Sequence, residues 1–283
     1  MKKMNTLEQN ASKKYTPWLI LTLLDFVTII SFENIFYPFQ NQGLSVVISW
    51  IFMLFAYVIP YELIVSQLGL TFDQQAGGLA SWIRRGTGSD LFGYATSWMY
   101  WVQTIPYLVD VSNSVIVSFS WIILGDATLG KHMSTFTFGL LTFAIILAFI
   151  LLENFFKDSL EILSLIGGGA MFIMSMLFVL MTFWAVTHGA HVATQPFNLE
   201  AFKPSFSLHY FSTTGLLIFA MSGAELAAPY ISKMKNPKKE FPRSMWVLAL
   251  MTGALTILGT LSLAVFFDAN HIPQDFKMNG PYY

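Results

Sequence analysis

Seven long apolar runs decide what this chain can fold into. They cover about residues 17 to 40, 44 to 70, 92 to 124, 134 to 152, 160 to 187, 208 to 231 and 244 to 267. Crossing roughly 30 Å of hydrocarbon takes about 20 consecutive apolar helical residues, and each run is near that length or longer. Inside lipid every backbone N–H and C=O must be paired within its own segment, which selects the α-helix. The expected fold is therefore an all-α integral membrane protein of about seven transmembrane helices. Composition agrees: 55% of residues are hydrophobic and 11% are charged, against about 25% charged in a soluble domain. The first run is too long for a signal-peptide core and lacks a small-residue cleavage site, so it is read as retained.

Several function classes drop out on composition alone. A formal net charge of -1 gives no basic field with which to neutralise phosphates, so nucleic acid is not an expected partner. The chain has no cysteine, which removes disulfides, thiolate metal sites and thiol nucleophiles. No Ser-His-Asp set, metal-ligand spacing or phosphate-binding glycine loop has a plausible context. No enzyme chemistry, cofactor or metal is expected.

Lys and Arg in the connections set the expected orientation. With a cytoplasmic N-terminus, Lys2, Lys3, Lys13, Lys14, Arg84, Arg85, Lys157, Lys233, Lys235, Lys238, Lys239 and Arg243 lie inside, and Lys131, Lys203 and Lys277 outside. Twelve against three places the N-terminus in the cytoplasm and the end of the chain outside, and makes the lipid bilayer of the cell (inner) membrane the expected location. A seven-span receptor would run the other way. The same topology puts His132, His188, His191, His209 and His271 on the external side. Unperturbed imidazole titrates near pH 6.5, so these are either an external pH sensor or solvated loop residues.

Two of the runs break the rules of a lipid-facing helix. Leu216 to Met221 is apolar, then Ser222-Gly223-Ala224-Glu225 follows. In the first run, Ser31-Phe32-Glu33-Asn34 places an acid and an amide near mid-membrane, with Pro38 beyond. Intramembrane acids are costly and normally line a protein-enclosed or water-filled cavity. Secondary transporters built from inverted repeats use two such interrupted helices, whose freed backbone groups bind substrate near the midplane. Spans one and six would be that pair in a five-plus-five (LeuT-like) arrangement. Residues 1–16 would then be a cytoplasmic tail, 17–187 the first repeat, 188–207 an external loop and 208–283 the start of a second repeat. No residue-level repeat is evident, so that symmetry rests on hydropathy and acid placement.

At these residues the chain resembles the amino acid, polyamine and organocation (APC) superfamily. The resemblance is carried by Phe219-x-x-x-Gly223-x-Glu225, then Lys235-Asn236-Pro237-Lys238-Lys239 with Pro242-Arg243. Tyr61-Glu62-Leu63 followed by Gly77-Gly78, and Gly93-Tyr94 with Met99-Tyr100-Trp101, are similar to that family's second and third spans. Phe32-x-Asn34-Ile35 with Gly43 beyond it leans toward the glutamate:GABA antiporter branch. Such a resemblance implies a secondary transporter of amino acids or related amines, an exchanger working by alternating access, with protons as the candidate coupling ion. Two departures stand out: the first-span break holds no glycine, and the chain stops after the seventh expected span where the family continues to about twelve. A truncated, non-transporting membrane protein is the alternative.

Roles follow from the resemblance, each beside a plainer reading. Ser31, Phe32, Glu33 and Asn34, with Ser222, Gly223 and Ala224, would line the substrate site; otherwise they are kinks re-satisfied by neighbouring helices. Phe219 matches the family's aromatic gate, although a lone Phe on an apolar helix is usually packing. Tyr100 resembles a third-span tyrosine that helps to occlude substrate, or it joins Trp98 and Trp101 as an interfacial anchor. Glu225 is the expected coupling group, unless a neighbouring hydroxyl holds it permanently. Glu62 is expected near the cytoplasmic interface, paired with a loop. Gly167-Gly168-Gly169 is read as close helix packing or a hinge.

Overall fold

The structure is a computed structural model that describes residues 15–72, 78–126, 128–155 and 159–271. Ordered elements among these residues are all helical. In chain order they are α1 (Trp18–Ile29), α2 (Phe32–Gln42), α3 (Val46–Met53), α4 (Ile59–Thr71), α5 (Gly78–Thr87), α6 (Asp90–Leu124), α7 (Thr135–Phe155), α8 (Ser159–Thr187), α9 (Leu208–Ala220) and α10 (Pro237–Phe266). A π-turn, Leu54–Val58, joins α3 to α4, and a 3-10 helix, Ala224–Lys233, follows α9.

Each of the seven apolar runs becomes helix, but not each becomes one uninterrupted span. Six helical stretches are long and apolar enough to cross a membrane, beginning with 34–71, and Trp18–Ile29 is a shorter apolar helix. The difference lies in the first run, which breaks at Ile30–Ser31. Its second half leads through a 3-10 turn, Gly43–Ser45, into the second run. Gly43 takes φ 58° and ψ −140° there, a backbone conformation that a residue bearing Cβ rarely adopts.

Pro60 explains the π-turn. A proline inside a helix lacks an N–H and its ring clashes with the carbonyl four residues back, so the preceding turn widens. The widened turn carries Tyr57 and is followed one turn later by Tyr61.

At the centre lies α10, which packs against α1, α2, α3, α4 and α8. Of its most apolar window 61% is buried, compared with 6% for α7, which leaves α7 at the periphery. The main buried cluster joins Phe26, Ile29 and Ile30 of the first run to Ala224 and Ala227 of the 3-10 helix and to Phe241, Met245 and Leu248 of α10. Two buried hydroxyls on α10 pair across helices: Thr22 and Ser244 hydroxyls lie 2.8 Å apart, and Trp50 Nε1 donates to Thr260 Oγ1 at 3.0 Å. The irregular segment 188–207 is pinned to the end of α10, where the N–H of Thr194 donates to Ala264 O at 3.0 Å.

Of the glycine triplet, Gly168 is the close-packing residue. A Cβ built on it would stand 2.5 Å from the backbone oxygen of Leu23, whereas one on Gly169 would meet nothing within 4 Å. Gly168→Val is expected to lower the thermal midpoint of the solubilised protein, at a cost of about 1–3 kcal/mol for overpacking against rigid backbone. Gly169→Ala is expected to leave it unchanged or slightly raised, since Ala is the better helix former.

Candidate substrate site at two helix breaks

The first break is built from extended backbone. Ile30 takes φ −93°, ψ 122° and Ser31 takes φ −125°, ψ 158°, values open to any residue. Ser31 Oγ accepts from the N–H of Asn34 at 3.3 Å and so caps α2. The Asn34 side-chain amide donates to Ile29 O at 3.0 Å, reaching back across the break. Serine and asparagine thus supply the partners that the broken helix lacks. The side chains of Phe32 and Glu33 lie outside the described residues.

The second break needs glycine. Gly223 takes φ 129° and ψ −6°, which strains any residue with a Cβ. The two breaks touch at this point: a Cβ on Gly223 would lie 3.2 Å from Ile29 Cγ1. Ala224, next in the chain, is fully buried in the cluster that contains Ile29 and Ile30.

A polar cluster sits beside this contact. Tyr61 donates its hydroxyl to one carboxylate oxygen of Glu225, and Tyr100 donates to the other. The N–H of Gly223 in turn donates to the Tyr61 hydroxyl at 3.2 Å. Ser222 Oγ lies 2.7 Å from the Tyr57 hydroxyl and donates to Ile218 O at 2.7 Å. The rings of Tyr57 and Tyr61 stack, with centroids 5.4 Å apart and planes within 7°. Glu225 therefore ties the break in span six to spans two and three. A cleft of about 230 Å³ opens beside it, lined among others by Leu79, Ala80, Ser97, Tyr100, Glu225 and Leu226.

Among the described side chains, the expected site residues fall into three groups. Tyr100, Ser222, Gly223 and Glu225 are brought together, while Ser31, Asn34 and Ala224 form the adjoining breaks. Tyr100 is thereby separated from Trp98 and Trp101, which pack on each other at 5.2 Å and stay exposed. Phe219 is 61% exposed on α9 and is not among the cleft-lining residues. Tyr57 and Tyr61 were not expected as site residues. Their signal was present, because aromatic hydroxyls at i and i+4 in an apolar helix share one face.

Glu62 does not occupy the loop-pairing, interfacial place expected of it. It is 3% exposed and its Oε2 has no hydrogen-bond partner among the described residues. The helix explains this: α4 continues nine residues past Glu62 to Thr71, a rise of about 13 Å that sets the carboxyl well below the helix end.

The described histidines stay at the surface. His188 stacks on Trp184 with centroids 4.4 Å apart, and His271 Nδ1 lies 2.8 Å from Asp268 Oδ2. The backbone N–H of Asn270, and then His271, hold the Asp268 carboxyl below its ordinary range. The His209 side chain lies outside the described residues. Changing all five histidines to Gln is expected to leave the pH profile of transport unaltered; a displaced profile would favour an external sensor.

Comparison with known proteins places this architecture. The chain is 37% identical over 268 residues to an aspartate/glutamate permease of Lactococcus lactis subsp. cremoris, an alignment covering 94% of this chain and 55% of that protein. It is 26% identical over 271 residues to a probable agmatine/putrescine antiporter of Lactococcus lactis subsp. lactis, covering 93% and 54%. A glutamate/gamma-aminobutyrate antiporter of Lactococcus lactis subsp. cremoris aligns at 24% identity, covering 73% of this chain and 40% of its own length. The chain thus spans about half the length of the first two of these curated relatives, and less of the third. Residues 17–274 match the family described as amino acid permease. That match takes in both helix breaks and the Glu225 cluster, and this multi-pass membrane chain belongs to the amino acid permease family, a family of transporters rather than enzymes.

Proposed function

We propose that this chain carries the substrate-binding half of an amino acid exchanger that works by alternating access. The observation that carries the proposal is the contact of the two interrupted helices, Ile29 against Gly223, with the Glu225 cluster beside it. Interrupted helices in corresponding positions hold substrate near the midplane in secondary transporters. In this reading residues 17–187 are a first repeat and the break at Gly223 belongs to the second. Spans one and six reshape around a site made by Ser31, Phe32, Glu33, Asn34, Ser222, Gly223 and Ala224, with Tyr100 and Phe219 as occluding side chains.

Acidic amino acids lead the substrate candidates, because the relative at 37% identity is named as an aspartate/glutamate permease. Amine substrates come second, through the relative named as a probable agmatine/putrescine antiporter. Glu33 discriminates between them: a carboxylate facing the pocket repels an acidic substrate unless it is neutral or turned away, and attracts a cationic one. Glu225 serves as the coupling group and protons as the coupling ion. Lys and Arg placement puts the N-terminus in the cytoplasm of a cell whose inner membrane holds the protein.

Counterflow in proteoliposomes tests the proposal, using aspartate, glutamate, GABA, agmatine, arginine and neutral amino acids in turn. Accumulation of labelled aspartate or glutamate against unlabelled internal substrate is the expected result. No exchange with any of the panel, from protein shown to be folded, would refute it. Orientation is checked separately by a single cysteine placed at Ser232: it is expected to react only with a reagent applied from the cytoplasmic side.

A further inference from the structure

Span two carries an irregularity of its own next to the second break. Its helix widens into the π-turn Leu54–Val58 between α3 and α4, and this turn meets the end of α9 in two ways. Val58 is buried in one cluster with Leu217, Ala220 and Met221. Tyr57, its neighbour in the chain, brings its hydroxyl to 2.7 Å from Ser222 Oγ. Met221 and Ser222 are the residues that lead from α9 into the break at Gly223.

Proton counting fixes the direction of that hydrogen bond. Ser222 Oγ gives its single proton to Ile218 O at 2.7 Å, so the Tyr57 hydroxyl is the donor. The bonds then run from Tyr57 through Ser222 to Ile218, a carbonyl in the last turn of α9. Carbonyls at a helix end lack their helical partners and take side chains instead. The helix end that opens into the break is thereby tied to a side chain of span two.

The π-turn is what aims Tyr57. It holds one residue more than an α-turn, and such turns are rare and frequent at functional sites. On its near side α3 is anchored, because the fully buried Trp50 donates to Thr260 of α10. A regular helix running on from so fixed a start would turn Tyr57 and Tyr61 by as much as about 100°. Their hydroxyls would then miss Ser222 and Glu225, which they now reach from stacked rings.

We propose that Tyr57 is a positioning residue of the substrate site, aimed by the π-turn: by donating to Ser222 it holds the end of α9 in the shape that receives substrate. The proposal rests on the reading of the two breaks as the substrate site. Tyr57 acts through Ser222 rather than by touching substrate. Its loss therefore weakens binding and leaves the maximal rate of exchange alone.

Counterflow kinetics in proteoliposomes test this, with whichever of labelled aspartate, glutamate, GABA, agmatine, arginine and neutral amino acids the wild type exchanges. Tyr57→Phe keeps a ring on Tyr61 and removes the donor. It is expected to raise the half-saturation concentration about twofold to tenfold, the effect of one neutral hydrogen bond, at an unchanged maximal rate. Ser222→Ala is expected to raise it as well, and the double variant to be no weaker than Ser222→Ala alone. 4-Aminophenylalanine at position 57 supplies an N–H donor in place of the hydroxyl and is expected to bring back the wild-type value. Should Tyr57→Phe not fold, 4-methylphenylalanine fills the hydroxyl's space without a donor and takes its place in the comparison. A half-saturation concentration unchanged by loss of the donor, or single effects that simply add in the double variant, would overturn the proposal and leave the reading of the breaks intact. A folded wild type that exchanges none of the panel would remove that reading and the proposal with it.

Discussion

Gly223→Val is expected to abolish exchange and to lower the melting temperature, while Gly215→Ala on the same run leaves both intact. Gly223 holds φ 129°, where a β-branched residue costs roughly 1–3 kcal/mol in backbone strain alone. Its added Cβ would also approach within 3.2 Å of Ile29 Cγ1, at the point where the two breaks meet. Relief would come by moving Gly223 away from Ile29. That movement would strip the Gly223 N–H from the Tyr61 hydroxyl and displace Glu225, which begins the next turn. At Gly215 a Cβ meets nothing within 4 Å. The check is counterflow together with thermal melting of both variants. Gly223→Val with normal exchange would mean that the second break does not form the site.

Glu225→Gln is expected to lower the exchange rate by about tenfold to a hundredfold and to flatten its pH dependence. The carboxylate accepts a hydroxyl on each oxygen, from Tyr61 and from Tyr100. Glutamine keeps one acceptor oxygen and turns an NH2 toward the other hydroxyl, so one of the two bonds is lost or reversed. A hydrogen bond to a charged group contributes about 1.5–3 kcal/mol, and about 1.4 kcal/mol corresponds to a factor of ten. Tyr61→Phe and Tyr100→Phe each remove one donor and are expected to slow exchange while keeping its pH dependence, because the carboxyl remains. Normal turnover with unchanged pH dependence in Glu225→Gln would leave Glu225 a purely structural tie between spans two, three and six.

Local physics carried some of these features and not others. Hydropathy was enough for the helices, because lipid forces backbone pairing within each segment. The positions of both breaks were legible too, as polar residues inside apolar runs. Their mechanisms were not: the first break lacks glycine, yet the extended backbone of Ile30 and Ser31 requires none, whereas the positive φ at Gly223 does. Tyr61 was visible as part of a motif, but its partner Glu225 lies 164 positions away, and no local pattern encodes that contact. Glu62 misled because a carboxylate in an apolar run reads as interfacial, whereas it lies nine residues before the end of its helix at Thr71. The ten-residue α5 hid among glycines and arginines; Leu79 and Trp82, spaced three apart, were its apolar signature.

Substrate protection of a single cysteine tests the central claim most directly, and the native chain contains no cysteine to confuse it. With Ser222→Cys in proteoliposomes, a small thiol-reactive reagent is expected to label the protein in the absence of substrate, and aspartate or glutamate to slow that labelling by about tenfold or more. A cysteine at Ser31 on the opposite break is expected to be protected in the same way. Labelling at both positions that proceeds at the same rate with and without any transported substrate would contradict a binding site at the two helix breaks.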